Sequence, residues 1–484
     1  MVEGVYKNST ELMNVHGVPF YMSDIVDICL EGKLNLFLKG DTGSGKTQLA
    51  RDAMNLFGAG VGNASYAANV RGARGMDNKG NIAISAAEYF QEDKTLFVLG
   101  RNDMDTRELF KQINFGKLPQ KRTYDLEHIV NPDTGEVEWY YPRFDNGTFV
   151  YHKLSEEQAR RVKSSLEGLA GTSADAKELT SKIKANLFVV DELPNCVPAV
   201  RNQLFNMFDG FIEIDGKTYP FGNGYSIGIA TGNIGQEFTE SSNDLGRALK
   251  DRMHITVDLD YFFPTPGDTL EIYSGNINPR VDFSFKGEDK SEEIIKRHEA
   301  LMKSPIPLEK LLIVNYLIQG LDNCSKGSKR RMKDSWPTGL TDHEQGSDVG
   351  LVKPLSGRAP KSILAFSQAL DEVAIRKGAS REVVEAGKLN SMLQAYKFVS
   401  AHSGVLNEAA VRNKYDGDHY KAMDAVISTT TARFRENSEA IGAGLEMVES
   451  GETDEKVLSL YQGRWAFMRD TLKKLSELNK ESNS

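Results

Sequence analysis

The segment Gly40-Asp41-Thr42-Gly43-Ser44-Gly45-Lys46-Thr47 constrains this chain more than any other. It satisfies G-x-x-x-x-G-K-[ST] in full, and its surroundings have the order the motif needs. Lys33 to Lys39 (KLNLFLK) is a short apolar run that reads as a buried strand, and Thr47 to Phe57 has helical periodicity. Glycines in a strand–loop–helix turn let backbone N–H groups face inward around phosphates, and the helix N-terminus adds a favourable dipole. Lys46 is then placed to reach the β- and γ-phosphates, and Thr47 to ligate magnesium. The expected ligands are a nucleoside triphosphate, ATP foremost, and Mg2+.

A second apolar run, Asn186 to Val190 (NLFVV), ends in Asp191-Glu192. Beside a P-loop, two adjacent carboxylates suit a division of labour. Asp191 holds the magnesium shell and Glu192 polarises the attacking water. The plain alternative is a pair of acids opening a solvated turn. A helical stretch, Val197 to Phe208, follows, and then Phe211 to Tyr219 with Asp215-Gly216 between alternating segments, a hairpin signal. Tyr225 to Ala230 and Ile255 to Leu259 read as two further buried strands. Strands alternating with helices predict an α/β fold with a largely parallel sheet.

Three more polar positions fall near the ends of these elements. Asn233, just past the third apolar strand, either touches the γ-phosphate and attacking water or belongs to a plain turn. Arg252, with Arg247 as the alternative, either serves as an arginine offered to a neighbouring subunit's nucleotide or is solvated. Arg358 opens a helix with Pro360 in its first turn, and either reaches the phosphates from a helical lid or points to solvent.

The stretch between Lys46 and Asp191 is longer than a compact nucleotide-binding core needs. Residues 94–184 read as an insertion, with a hairpin or small sheet at Trp139 to Tyr151 and a polar helical segment at Ser155 to Lys184. The expected plan is a first core part at 1–93, the insertion at 94–184 and a second core part at 185–300. A helical lid at 301–400 and a helical extension at 401–484 complete it. Four helical segments are expected beyond Ser356: Pro360 to Arg376, Arg381 to Ser400, Tyr420 to Met447 and Glu455 to Leu478. Ser325 to Pro354 reads as a polar loop. Its basic run (Lys326, Lys329, Arg330, Arg331, Lys333) either tracks a phosphate backbone or is simply a charged loop. Trp139, Tyr140, Tyr141 and Phe144 form either a stacking platform for bases or the small core of the insertion.

Composition narrows the class further. A formal charge of −9 disfavours a surface built wholly for nucleic acid. Three well-separated cysteines (Cys29, Cys196, Cys324) give neither a disulfide framework nor a thiolate zinc site, which suits a cytoplasmic protein. The polar start and the lack of an apolar run of roughly 20 residues predict no signal peptide and no membrane insertion.

From Asn186 to Asn233 the chain resembles the AAA+ ATPases of the MoxR family. The matching parts are Val189-Val190-Asp191-Glu192-Leu193-Pro194, Asn202-Gln203-Leu204-Phe205-Asn206-Met207, Ile214-Asp215-Gly216-Lys217-Thr218-Tyr219 and Ile229-Ala230-Thr231-Gly232-Asn233, in that order. The resemblance implies a P-loop AAA+ core with a helical lid, to which the residues themselves add an inserted subdomain and an all-helical C-terminal region. It implies that Asn233 is the sensor 1 residue, Arg252 the arginine finger and Arg358 the sensor 2 arginine. It further implies a ring, usually a hexamer, with nucleotide at each subunit boundary. A chaperone-like remodelling role is implied too, with a partner protein carrying a von Willebrand factor A domain. The rival within the same broad clade is a nucleic-acid motor. It is disfavoured because the hairpin tip Asp215-Gly216-Lys217 carries a single basic residue. The 94–184 insertion and the helices beyond about residue 400 have no counterpart in that resemblance.

Overall fold

The computed structural model describes residues 4–58, 82–85, 94–100, 110–113, 126–130, 136–145, 148–170, 177–179, 181–214, 217–233, 252–275, 281, 288–319, 351–352, 355, 357–462 and 465–483. Arg247, the Asp215-Gly216 hairpin tip and the basic run from Lys326 to Lys333 lie outside them.

The described chain opens with a short hairpin, β1 (Met13–Val15) and β2 (Val18–Phe20), then helix α1 (Met22–Gly32), strand β3 (Leu36–Lys39) and helix α2 (Lys46–Asn55). Strands β4 (Ile82–Ser85), β5 (Thr95–Leu99), β6 (Lys111–Ile113), β7 (Glu127–Val130), β8 (Val137–Asp145) and β9 (Thr148–Leu154) follow. Next come α3 (Glu156–Ala170), β10 (Lys177–Leu179), β11 (Leu187–Asp191) and α4 (Pro198–Phe208). The hairpin β12 (Phe211–Ile214) and β13 (Lys217–Pro220) leads to β14 (Ile227–Gly232) and β15 (Ile255–Asp258).

Five strands form one parallel sheet in the order β15-β3-β14-β11-β5. Every residue of β11 and β14 is buried. Strands covered on both faces need continuous apolar runs rather than alternation, which is why these segments read as they do. Helix α2 packs on β11 and β14 from one side, and α4 on β14 from the other. The parallel arrangement brings the carboxyl ends of β3, β11 and β14 to one edge, where ligands of open α/β sheets bind.

The boundary expected at residue 94 is corrected by this sheet. Thr95–Leu99 is a core strand, paired with β11 from Leu187↔Thr95 to Asp191↔Leu99. Conversely, Ile82–Ser85 from the expected first core part pairs with β9 in a separate antiparallel sheet, β4-β9-β8-β7. The subdomain therefore comes from both sides of a core strand. A five-residue apolar run carries too little periodicity to reveal which sheet it joins. Tyr140 and Tyr151 are fully buried in the small sheet, and Tyr140 Oη donates to Glu138 Oε2 at 2.9 Å. Tyr140 thus belongs to a core rather than to a stacking platform.

From β15 onward the fold is helical: α5 (Pro266–Gly275), α6 (Ser291–Lys303), α7 (Leu308–Gln319), α8 (Ala359–Arg376), α9 (Arg381–Ala386) and α10 (Lys388–Ser400). Then follow α11 (Glu408–Tyr415), α12 (His419–Glu436), α13 (Ser438–Ser450), α14 (Glu455–Ser459) and α15 (Met468–Asn483). Three expected continuous helices are broken. Arg381 to Ser400 divides at Gly387, and Tyr420 to Met447 divides at Asn437. Glu455 to Leu478 divides into α14 and α15. Apolar spacing runs on across such breaks, so periodicity alone does not locate them. Leu351 and Val352, expected in a polar loop, are buried, and Val352 bridges to Leu406.

Two of the contacts that fasten the helical region to the core involve buried polar groups. Tyr420 on α12 covers edge strand β15, its hydroxyl accepting the Asp258 N–H at 3.2 Å. Near the first hairpin, Asp371 on α8 receives Lys310 Nζ of α7 at 2.6 Å and lies 2.8 Å from His16 Nε2. Burial pulls the Lys310 ammonium below the usual lysine range, and Asp371 opposes that shift.

Candidate functional site

Between β3 and α2 the chain must reverse tightly, and Gly40, Gly43 and Gly45 all take positive φ there, at 158°, 88° and 85°. At Gly45 two demands coincide. Its φ is left-handed, and a Cβ would come within 2.6 Å of the Tyr6 ring. Tyr6 is held over the loop by its own N–H, which donates to Asp52 Oδ2 on α2 at 2.7 Å. Burial pushes the Tyr6 phenol up to about 12.

Lys46 begins α2 and folds back into the loop. Its Nζ donates to the carbonyls of Gly40 at 2.8 Å and Asp41 at 2.6 Å, and to Ser44 Oγ at 3.3 Å. Burial lowers the Lys46 ammonium from the usual lysine range, while Asp260, Asp41, Asp191 and Glu192 oppose the loss of its proton. The start of the loop is braced from β15. The Asp41 N–H donates to both oxygens of Asp260, at 3.0 and 2.7 Å, and Asp258 pairs with Lys39 at 2.7 Å.

Asp191 ends β11 directly opposite the loop. Thr47 Oγ1 donates to Asp191 Oδ1 at 2.9 Å, so the two residues read from separate motifs meet. They form an all-oxygen donor set beside the P-loop, the chemistry Mg2+ takes when it also binds nucleotide phosphates. Glu192 follows in the left-handed region, with φ 56° and ψ 41°, and its side chain is exposed. Asn195 Nδ2 donates to Glu192 Oε2 at 2.7 Å. Asn233 lies at the tip of β14, its Nδ2 3.4 Å from Thr42 Oγ1.

Besides Asn195, three neighbours escaped the sequence reading. Thr231 is fully buried; its hydroxyl donates to Asp191 Oδ1 at 2.5 Å and accepts the Glu192 N–H at 3.0 Å. Gly100, just past β5, donates its N–H to the Asp191 carbonyl at 2.7 Å, and a Cβ there would lie 2.8 Å from the Glu192 carbonyl. Arg51 on α2 stacks 3.4 Å from the centre of the Phe97 ring; burial lowers it to about 10, with Asp191 opposing. Only Thr231 left a trace in sequence, as the threonine of Ala230-Thr231-Gly232-Asn233.

Arg252 and Arg358 are not brought to the P-loop of their own chain. Asn35, which precedes β3, donates its Nδ2 to the carbonyls of Phe208 at 2.8 Å and Arg252 at 3.0 Å. That contact sits at the amino end of the strand whose carboxyl end carries Gly40, about 16 Å away at ~3.3 Å per residue. Both arginines meet there on Asp209: Arg252 Nε at 2.8 Å from Oδ2, and Arg358 Nη1 at 3.1 Å from Oδ1. Arg358, expected to reach phosphates from a helical lid or to be solvated, thus pairs with Asp209 at the amino end of β3.

Together the parallel sheet, the glycine-rich loop at its carboxyl edge and the helical C-terminal region define an α/β fold with the order of a P-loop protein. No protein-family model matches the chain, and no curated protein matches it. Among solved structures, the chain is similar to a protein from Cytophaga hutchinsonii whose assignment as an ATPase is itself provisional. That likeness has a TM-score of 0.47 and 13% identity, over 84% of this chain and 88% of that one. At that identity it carries no residue role into this chain. Among the described residues, no helix is long and apolar enough to cross a membrane.

Proposed function

We propose that the chain is a Mg-ATP-hydrolysing AAA+ ATPase of MoxR type, working in a ring, usually a hexamer, as a chaperone-like remodeller. The observation that carries this reading is the 2.9 Å contact between Thr47 and Asp191, with Lys46 inside the same loop and Glu192 one residue further on.

The loop N–H groups and Lys46 bind the phosphates of ATP, Lys46 exchanging its carbonyl acceptors for phosphate oxygens. Thr47 and Asp191 would hold Mg2+, which would supply positive charge to neutralise the nucleotide phosphates. Glu192 accepts a proton from the attacking water once it leaves Asn195, and Asn233 orients that water against the γ-phosphate. Arg252 and Arg358 serve the nucleotide of the neighbouring subunit, since each is anchored at the far end of the sheet from its own loop. Hydrolysis then depends on assembly, and a von Willebrand factor A domain protein is the partner class that fits this reading.

The test is ATP turnover against protein concentration, with sizing by light scattering, for wild type, Glu192→Gln and Arg252→Ala. Specific activity should rise as rings assemble. Glu192→Gln should retain bound ATP, and Arg252→Ala should assemble yet turn over roughly 10³-fold more slowly, the lower end of an arginine finger's contribution. Turnover independent of concentration in a monomer overturns the ring, and equal turnover in Glu192→Gln overturns the role of that glutamate.

A further inference from the structure

Two guanidinium groups that are remote in sequence share one carboxylate. Asp209 gives one oxygen to each: Oδ2 to Arg252 Nε and Oδ1 to Arg358 Nη1. The three residues come from three parts of the fold. Asp209 caps the C-terminus of α4, Arg252 lies just before β15, and Arg358 is the N-cap of α8 in the helical region.

The acid is itself well held. Its N–H donates to the carbonyls of Phe205 and Asn206, at 3.2 and 3.1 Å, and the preceding carbonyl of Phe208 is gripped by Asn35. Asn35 uses the same amide nitrogen to hold the Arg252 carbonyl, so the backbones on both sides of the ion pair are tied to one side chain. The Arg252 guanidinium also lies 5.3 Å from the ring of Phe205, one turn back on α4. Arg252 is therefore set by α4 on two sides, by an ion pair and by an aromatic face.

We infer that Asp209 is a positioning residue that fixes Arg252 and Arg358 as one unit for the nucleotide of an adjoining copy of this chain. The inference rests on the trans reading of those arginines given above. An arginine acting on a transferring phosphoryl group works by placement of charge, and a displacement of 1 Å in such a group costs roughly 10²-fold. A carboxylate that spans both guanidinium groups sets their separation and ties the head of the helical region to the core.

The experiment is steady-state ATP turnover of the assembled full-length chain for Asp209→Ala, Asp209→Asn, Arg252→Ala and the double variant Asp209→Ala/Arg252→Ala. Light scattering and thermal melts accompany each. Asp209→Ala should assemble and lose about 10- to 100-fold in kcat with KM for ATP unchanged, as expected for misplaced transition-state groups. Asp209→Asn, which keeps one acceptor oxygen, should fall between wild type and Asp209→Ala. The double variant should lose less than the two single losses multiplied together, because both changes remove the placement of Arg252, while the loss of Arg358 placement remains. Should Asp209→Ala fail to fold, Asp209→Asn decides: wild-type kcat in that variant overturns the inference. Wild-type kcat in assembled Asp209→Ala, with Arg252→Ala slow, overturns the role of Asp209 and leaves the trans arginine intact. Wild-type turnover in Arg252→Ala overturns both.

Discussion

The hydroxyl of Thr231 donates to Asp191 Oδ1 at 2.5 Å and, in the same position, accepts the N–H of Glu192. One buried side chain on β14 thus fixes the orientation of one acid and the backbone of the next. Thr231→Val keeps the shape but removes both bonds, leaving a buried carboxylate oxygen and a part-buried N–H each one partner short. The expected cost is about 1–3 kcal/mol in unfolding free energy, with slower ATP turnover, and Thr231→Ser should restore most of both. Chemical denaturation and turnover measured side by side check this. Unchanged stability and rate in the valine variant would remove Thr231 from the site.

Tyr6 gives a prediction in pH. Its phenol is raised from 10.0 to about 12, so the folded state favours the protonated form. The stability this contributes is complete below pH 10 and is lost as pH climbs from 10 to 12. Alkaline unfolding of wild type should therefore steepen across that window, and Tyr6→Phe should flatten it. Absorbance at the phenolate band, taken as the difference between the two proteins, reports the titration directly. A Tyr6 titration near 10 would contradict the burial of this ring over Gly45.

The buried cluster around Asp371 gives a third. Lys310→Met leaves Asp371 with His16 but without its cation, and breaking one partner of a buried pair costs about 3–5 kcal/mol. The double change Lys310→Met/Asp371→Leu should recover much of that loss, since neither charge is then stranded. Melting of the single and double variants distinguishes the cases. Equal loss in both would mean that the packing, rather than the ion pair, matters there.

Local chemistry explains which parts of this molecule were legible in its sequence. The P-loop and the Asp191-Glu192 pair were readable because each is contiguous and each sits at the end of an apolar run. The hairpin and β14 were readable for the same reason. Strand β5 was not, because Thr95–Leu99 acquires its meaning only from pairing with β11. Neither was the meeting of Arg252 and Arg358, since nothing in the residues around either one points to Asp209. Asn195 and Gly100 were silent too, being ordinary turn and loop residues until the fold sets them against Glu192 and Asp191. Contacts made through tertiary closure leave no periodicity to read.

The threading of β5 between β4 and the other strands of the small sheet bears on how this protein can be dissected. A subdomain entered and left at one point can be excised and its ends rejoined. Here Ile82–Ser85 lies before the core strand and its partner Thr148–Tyr151 after it. Removing 101–184 would leave Ile82–Ser85 as an orphaned edge with open N–H and C=O groups, a template for aggregation. Removing 59–93 would strip the same edge from β9. The subdomain is stitched through the five-stranded sheet, and a trimmed version that avoids this open edge must lose both pieces while keeping Thr95–Leu99 in place.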